Sequence, residues 1–195
     1  MYKHMSLFEA DAKSGKLPNF SFIDPNYGEF SWNNGRETDG HADFFSSYRG
    51  SEILLKNMYE SLRASPQWEN LAWIITFDEH GGWHDHVPTP MNVPRPDNLA
   101  GKDGFLFDRL GVRVPAIVVS PHVQKGRVVV NGEGKPTPSS EFEHSSIAAT
   151  VLKLFGINES LTKRTDWASK FDFLFNEGPM RNDCPVQLPP VHPGA

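Results

Sequence analysis

Residues 73–88 constrain this chain more than any other stretch, because an apolar run stops there and a crowded ionisable segment begins at once. Residues 71–77 are apolar and rich in β-branched and aromatic side chains, which predicts a buried strand. Asp78 and Glu79 follow directly, and His80, His84, Asp85 and His86 come before the chain reaches Pro88. In an open α/β sheet ligands bind beyond the carboxyl ends of the strands, so chemistry is expected here. Crowding ionisable groups at such a point is costly unless a cation or the groups themselves satisfy one another. Gly81-Gly82 permits backbone angles that other residues resist, so the chain can fold tightly around a bound ion. Carboxylate oxygens with imidazole suit Mg, Mn, Ca or Zn, and the lack of a nearby cysteine argues against a thiolate site. The competing reading is a loop whose histidines and aspartates hydrogen-bond one another and water.

The rest of the chain is read around that stretch. Residues 1–40 show turn signals and no strong periodicity, with one short strand expected over 19–23. A helix is predicted over 47–64, with Leu55, Met58, Tyr59 and Leu62 as its apolar stripe, Lys56, Glu60 and Arg63 pointing elsewhere, and Pro66 as its stop. Four prolines in 87–104 predict a long rigidified loop over the strand end. Residues 114–120 have the near-continuous apolar character of a strand covered on both faces, and 127–131 predict a third, shorter strand. Ser145 or Ser146 is placed to cap a helix whose buried face is Ile147, Val151, Leu154 and Phe155 and whose end is Gly156. His144 at its start is either a group near an anion site or part of the capping network. Thr165-Asp166 predicts the cap of a last short helix running to Phe175. Helix and strand alternating in this way fit part of an α/β domain over 1–176, followed by a proline-rich, extended and weakly ordered tail over 177–195.

Composition narrows the partners. A net charge of −5 provides no general attraction to nucleic acid, and no apolar run approaches the length of a membrane span. The single Cys184 rules out an internal disulfide framework, and the N-terminus lacks the apolar block of a secretory signal, so the compartment stays open.

Asp78-Glu79-His80-Gly81-Gly82-Trp83-His84-Asp85-His86-Val87-Pro88 resembles the signature of the phosphoesterase family that contains bacterial and plant non-specific phospholipases C and certain acid phosphatases. The resemblance continues, in order, through Ser61-Leu62-Arg63-Ala64-Ser65-Pro66-Gln67-Trp68, Arg109-Leu110-Gly111-Val112-Arg113-Val114-Pro115, Glu141-Phe142-Glu143-His144-Ser145-Ser146-Ile147, Leu161-Thr162-Lys163-Arg164 and Asp183-Cys184-Pro185. It implies an α/β/α sandwich like that of the alkaline phosphatase superfamily and phosphoester hydrolysis with a bound divalent metal. Asp78 and Glu79 match the family's metal-ligating pair. His41 stands near the place of a histidine that contacts the phosphoryl group, although Gly40-His41-Ala42-Asp43-Phe44-Phe45 departs from the family's proline-containing pattern, and His144 matches a family histidine.

The family's Glu-Asn-(Ser/Thr) motif and its Ser or Thr nucleophile have no match here, so the resemblance implies the C-terminal half of a catalytic domain. In the complete enzyme the metal would activate that hydroxyl for in-line attack, with histidines such as His41 donating to the phosphoryl oxygens or the leaving alcohol. The substrate implied is a phospholipid, with peripheral membrane contact as its corollary, or else a small phosphomonoester. A non-catalytic product binding phosphate, lipid or a protein partner is the rival from another class. On the fragment reading the purified chain is expected to self-associate through open strand surface and to show no turnover on phosphatidylcholine or an aryl phosphate with added metal. Light scattering and those assays check this, and a soluble monomer whose turnover disappears in Asp78→Asn would reveal a nucleophile within the chain.

Overall fold

The computed structural model describes residues 4–25, 48–129 and 132–191. His41 and the turn at 32–35 lie outside these. The fold is mixed, with four α-helices and a two-stranded sheet among the described residues, and the chain divides into two units: 1–77 with 119–121 and 182–195, and 78–118 with 122–181.

The first unit is built on helix α2, Tyr48–Arg63, close to the predicted helix. Its core joins Tyr59, Leu62 and Trp68 to Ala12, with Phe8, Leu17, Leu71, Trp73, Val119, Cys184 and Leu188 packed around them. Tyr59 and Trp68 meet edge to face at 5.9 Å between ring centroids, a favoured aromatic geometry. Leu54 is buried where the expected stripe has the half-buried Leu55. Ala12 comes from helix α1, Phe8–Lys13, in a region read from sequence as mostly loop. Six residues are too few for periodicity to register, and the helix exists because tertiary packing supports it. Its predicted exit turn is present, with Lys16 N–H donating to Asp11 O at 2.8 Å. Residues 19–23 form no strand.

The weakly ordered tail is corrected. From Asn182 the chain belongs to the first unit, and α2 grips its backbone. Lys56 Nζ donates to Leu188 O at 2.7 Å, Tyr59 Oη to Pro185 O at 2.7 Å, and Arg63 Nε to Cys184 O at 3.3 Å, while Glu60 accepts from Leu188 N–H at 3.0 Å. The polar face of α2 thus faces the tail. Lys56 first, and the Leu188 N–H second, hold the Glu60 carboxyl below its ordinary value.

Strand β1 is Trp73–Thr76 and β2 is Ala116–Val119, shorter than the predicted runs. Burial is also corrected: β1, expected to be buried, is only half-buried, and Ala116 and Ile117, in the run expected to be covered on both faces, are exposed. An apolar run records the capacity to be covered on both sides, and among the described residues Trp73 and Val119 are partly covered by the cluster around Tyr59, Leu62 and Trp68. Residues 127–129 form no strand, and 130–131 lie outside the described residues.

In the second unit helix α3, Ser145–Leu154, ends as expected: Gly156 adopts φ +65°, with its N–H on Lys153 O at 3.2 Å and Ile157 N–H on Leu152 O at 2.9 Å. Its buried face differs from the expected one. Ser146, Ala149 and Thr150 are buried, while Leu154 and Phe155 are about half exposed. Small residues let the neighbouring chain approach closely, and Phe171 N–H reaches Thr150 Oγ1 at 3.1 Å. The last helix is likewise split into α4, Lys163–Trp167, and a 3-10 turn, Asp172–Asn176. Its cap is Thr162, whose hydroxyl accepts from Thr165 N–H at 3.0 Å, in place of Thr165-Asp166. Arg127 lies between Glu133 and Glu177, and these carboxylates raise its already high pKa.

Leu62 is 3% exposed, so Leu62→Ala is expected to destabilise the chain by ~3 kcal/mol, whereas Leu161→Ala, at a 59% exposed position, changes stability by under ~0.5 kcal/mol. Urea midpoints of the two variants check this.

Candidate functional site

The chain leaves β1 through Phe77 and turns at once. Asp78 Oδ1 accepts from Glu79 N–H at 3.0 Å, Glu79 Oε2 accepts from Gly81 N–H at 2.9 Å, and Trp83 N–H closes the turn on His80 O at 3.1 Å. Gly81 and Gly82 take φ of +64° and +78°, the left-handed region that their lack of a Cβ permits. Both carboxylates are exposed, and each spends one oxygen on a backbone amide. That arrangement fixes the turn and leaves the second oxygens, Asp78 Oδ2 and Glu79 Oε1, without a hydrogen bond in the turn.

Of the other ionisable groups in the segment, His80 stands beside Glu79, while His84, Asp85 and His86 are not paired with either carboxylate. His80 Nδ1 is 3.6 Å from Glu79 Oε2, and His86 Nδ1 is 3.7 Å from Asp85 Oδ1 with its side chain 87% exposed. His84 is exposed. Among the described residues no group of three or more His, Cys, Asp or Glu is placed to hold a metal ion. Of the imidazoles that suggested additional ligands, His84 and His86 are exposed, and only His80 lies beside the carboxylate pair.

Asp85 has another task. Its side chain is only 14% exposed, and it accepts Arg113 Nε at 2.8 Å and Arg113 Nη2 at 2.9 Å, with Val87 N–H at 3.0 Å on the same carboxylate. This paired geometry matches guanidinium to carboxylate and ties the end of the signature segment to the approach to β2. Arg113 is the residue that sequence reading missed; the only signal was its place in Arg109-Leu110-Gly111-Val112-Arg113, 28 residues downstream of Asp85. Arg113 first, then the Val87 amide, hold the Asp85 carboxyl well below the usual carboxylate range against the opposing effect of desolvation.

His144 occupies the N-cap position of α3 and is exposed, and its side chain makes no capping hydrogen bond. Ser146, in the first turn, accepts from Glu143 N–H at 3.0 Å, which ties the segment before the helix to it. Glu143 Oε1 beside it is shielded from solvent without a hydrogen-bond partner among the described residues.

The chain belongs to the Phosphoesterase family, whose model matches residues 1–158. Several of the proteins it is similar to carry the name phospholipase C. It is 46% identical over 189 residues to non-specific phospholipase C3 of Arabidopsis thaliana, covering 95% of this chain and 35% of that protein. It is 48% identical over 190 residues to non-specific phospholipase C1 of the same plant, covering 94% and 34%. Phospholipase C A of Mycobacterium tuberculosis (strain ATCC 25618 / H37Rv) is 30% identical over 161 residues, covering 77% and 27%. The chain thus spans about a third of the length of the curated relatives it matches.

Because the Asp85 carboxyl is depressed in the folded state, its stabilising contribution is complete above the ordinary carboxylate value near ~4 and is lost as pH falls below it toward the folded value. Asp85→Asn is therefore expected to lower the urea midpoint equally at pH 7 and pH 5, with the difference from the parent chain shrinking below about pH 4.

Proposed function

We propose that this chain supplies the carboxylate side of a metal-dependent phosphodiesterase site that cleaves glycerophospholipids in the manner of a phospholipase C. The observation that carries the proposal is the pair Asp78 and Glu79, held exposed at the end of β1 with one oxygen each braced by a backbone amide. Family membership supports phosphoester chemistry, and the phospholipase C names of the plant and mycobacterial relatives favour a phospholipid over a phosphomonoester. The proposed setting is an α/β/α sandwich with the site at the carboxyl end of β1.

The donor chemistry fits a hard divalent cation: adjacent carboxylates offer oxygen ligands, and the braced turn limits the rearrangement that binding requires. Asp78 and Glu79 would hold the ion, and bound there it would offset charge on the phosphoryl oxygens. Within the chain's own residues, the Gly81-Gly82 turn orients the carboxylates, and Asp85 with Arg113 anchors the segment behind them. His41 and His144 are the proposed proton-donating and phosphoryl-contacting side chains. The attacking hydroxyl is proposed to come from outside these 195 residues.

With only this pair as protein ligands, calorimetric titration with Mn is expected to give weak binding, with Kd on the order of 10⁻⁴ to 10⁻³ M, abolished by Asp78→Asn with Glu79→Gln. Tight stoichiometric binding that survives the double change would place the ion on the histidines and remove this reading.

A further inference from the structure

The loop that follows the signature turn displays apolar surface for which the proposed chemistry has no use. Leu99 is 72% exposed, Phe105, Leu106 and Phe107 are 40%, 43% and 42% exposed, and residues 102–107 are exposed without interruption. Within that run Phe105, Leu106 and Phe107 are three consecutive large apolar residues, and apolar exposure of this kind marks a contact with something other than water.

The exposure is not the result of slackness. Gly101 N–H donates to Phe105 O at 2.7 Å, and Val93 N–H donates to Asp108 O at 2.9 Å. Below the tip, Leu110 N–H donates to Pro90 O at 3.0 Å. Arg164, on α4, clamps the loop from outside, its Nε donating to Pro94 O at 2.6 Å and its Nη2 to Phe107 O at 2.5 Å. Phe107 itself has φ +55°, a strained conformation for a bulky residue that persists only where surrounding bonds impose it. Phe105 and Phe107 pack edge to face at 4.8 Å between centroids, and the Arg109 guanidinium lies 5.1 Å from the Phe105 ring centroid. The loop is thus braced in a shape that keeps its large apolar side chains in solvent.

Its charges define the surface it fits. Residues 94–109 contain Arg95, Lys102 and Arg109 against Asp97, Asp103 and Asp108, so the segment is neutral in a chain whose net charge is −5. Interleaved charges of both signs around protruding aromatic and aliphatic tips complement a zwitterionic headgroup layer, where apolar groups enter the acyl boundary while cations meet phosphate. A neutral segment has no field to attract nucleic acid or a polybasic partner.

We propose that residues 99–107 form a rigid interfacial element that inserts Leu99 and Leu106 into the headgroup boundary of a zwitterionic phospholipid bilayer. The inference rests on the phospholipid reading above and gives it a point of contact with the lipid.

The test is flotation of the full chain with phosphatidylcholine vesicles at low and high salt. The parent chain is expected to float with the vesicles, with little effect of salt. Leu99→Asp with Leu106→Asp is expected to reduce the bound fraction at least about tenfold. Val128→Asp, which changes an apolar residue that is 72% exposed outside the loop, is expected to leave binding unchanged. Equal near-ultraviolet circular dichroism of all three proteins shows that the fold is intact. A parent chain that stays with the lipid-free fractions, or a double variant that floats like the parent, overturns the proposal. So does a parent chain that fails to float and forms an oligomer that the double variant dissolves, since the loop would then be a contact between copies. Mn titration of the same variants separates this inference from the reading beneath it. Loss of flotation with Mn binding intact at Asp78 and Glu79 removes only the interfacial element, whereas flotation without any Mn binding removes the hydrolase site and leaves the interface standing.

Discussion

A mostly shielded carboxylate holding a guanidinium with two hydrogen bonds is the constraint on which the arrangement of the site segment depends. Asp85 receives Arg113 Nε and Nη2 and the Val87 amide, so the segment that begins at Asp78 is fixed at its far end as well as at β1. Without that anchor the turn around Gly81-Gly82 would be attached only through its own short-range bonds. Removing one partner of such a pair leaves the other without its best ligand, which is why the two residues act as a unit.

The same economy of means recurs where the chain has little regular structure. Helix α2 uses one face to build the core around Tyr59, Leu62 and Trp68, and its polar edge, Lys56, Glu60 and Arg63, to hold the backbone of the proline-rich segment. Proline-rich chain cannot satisfy its carbonyls through a ladder of its own, because each proline lacks an N–H. Side-chain donors from a neighbouring helix take that role. In the second unit Arg164 does the equivalent for the loop, binding Pro94 O and Phe107 O. Long side chains with several donors thus replace secondary structure as the means of ordering extended segments.

The site and the loop after it divide their tasks by exposure. The carboxylates of Asp78 and Glu79 face water with their geometry set by neighbouring amides, and the apolar tips from Leu99 to Phe107 face water with theirs set by clamps.

The sequence by itself determined the family of the protein and the place of its candidate site. An ordered series of motifs is a linear property, and so are the switch from apolar run to carboxylate pair at Phe77 and Asp78, the left-handed glycines at 81, 82 and 156, and the amphipathic stripe that makes α2. Only the tertiary structure decided the rest. It put Arg113 on Asp85 across 28 residues, selected Ser146, Ala149 and Thr150 over the larger apolar residues as the buried face of α3, and ordered the tail against α2. It also kept His84 and His86 exposed and apart from a shared metal-ligand group among the described residues. The physical reason is that periodicity and composition report what a side chain is able to do, while pairing, close approach and desolvation depend on which distant residue arrives beside it.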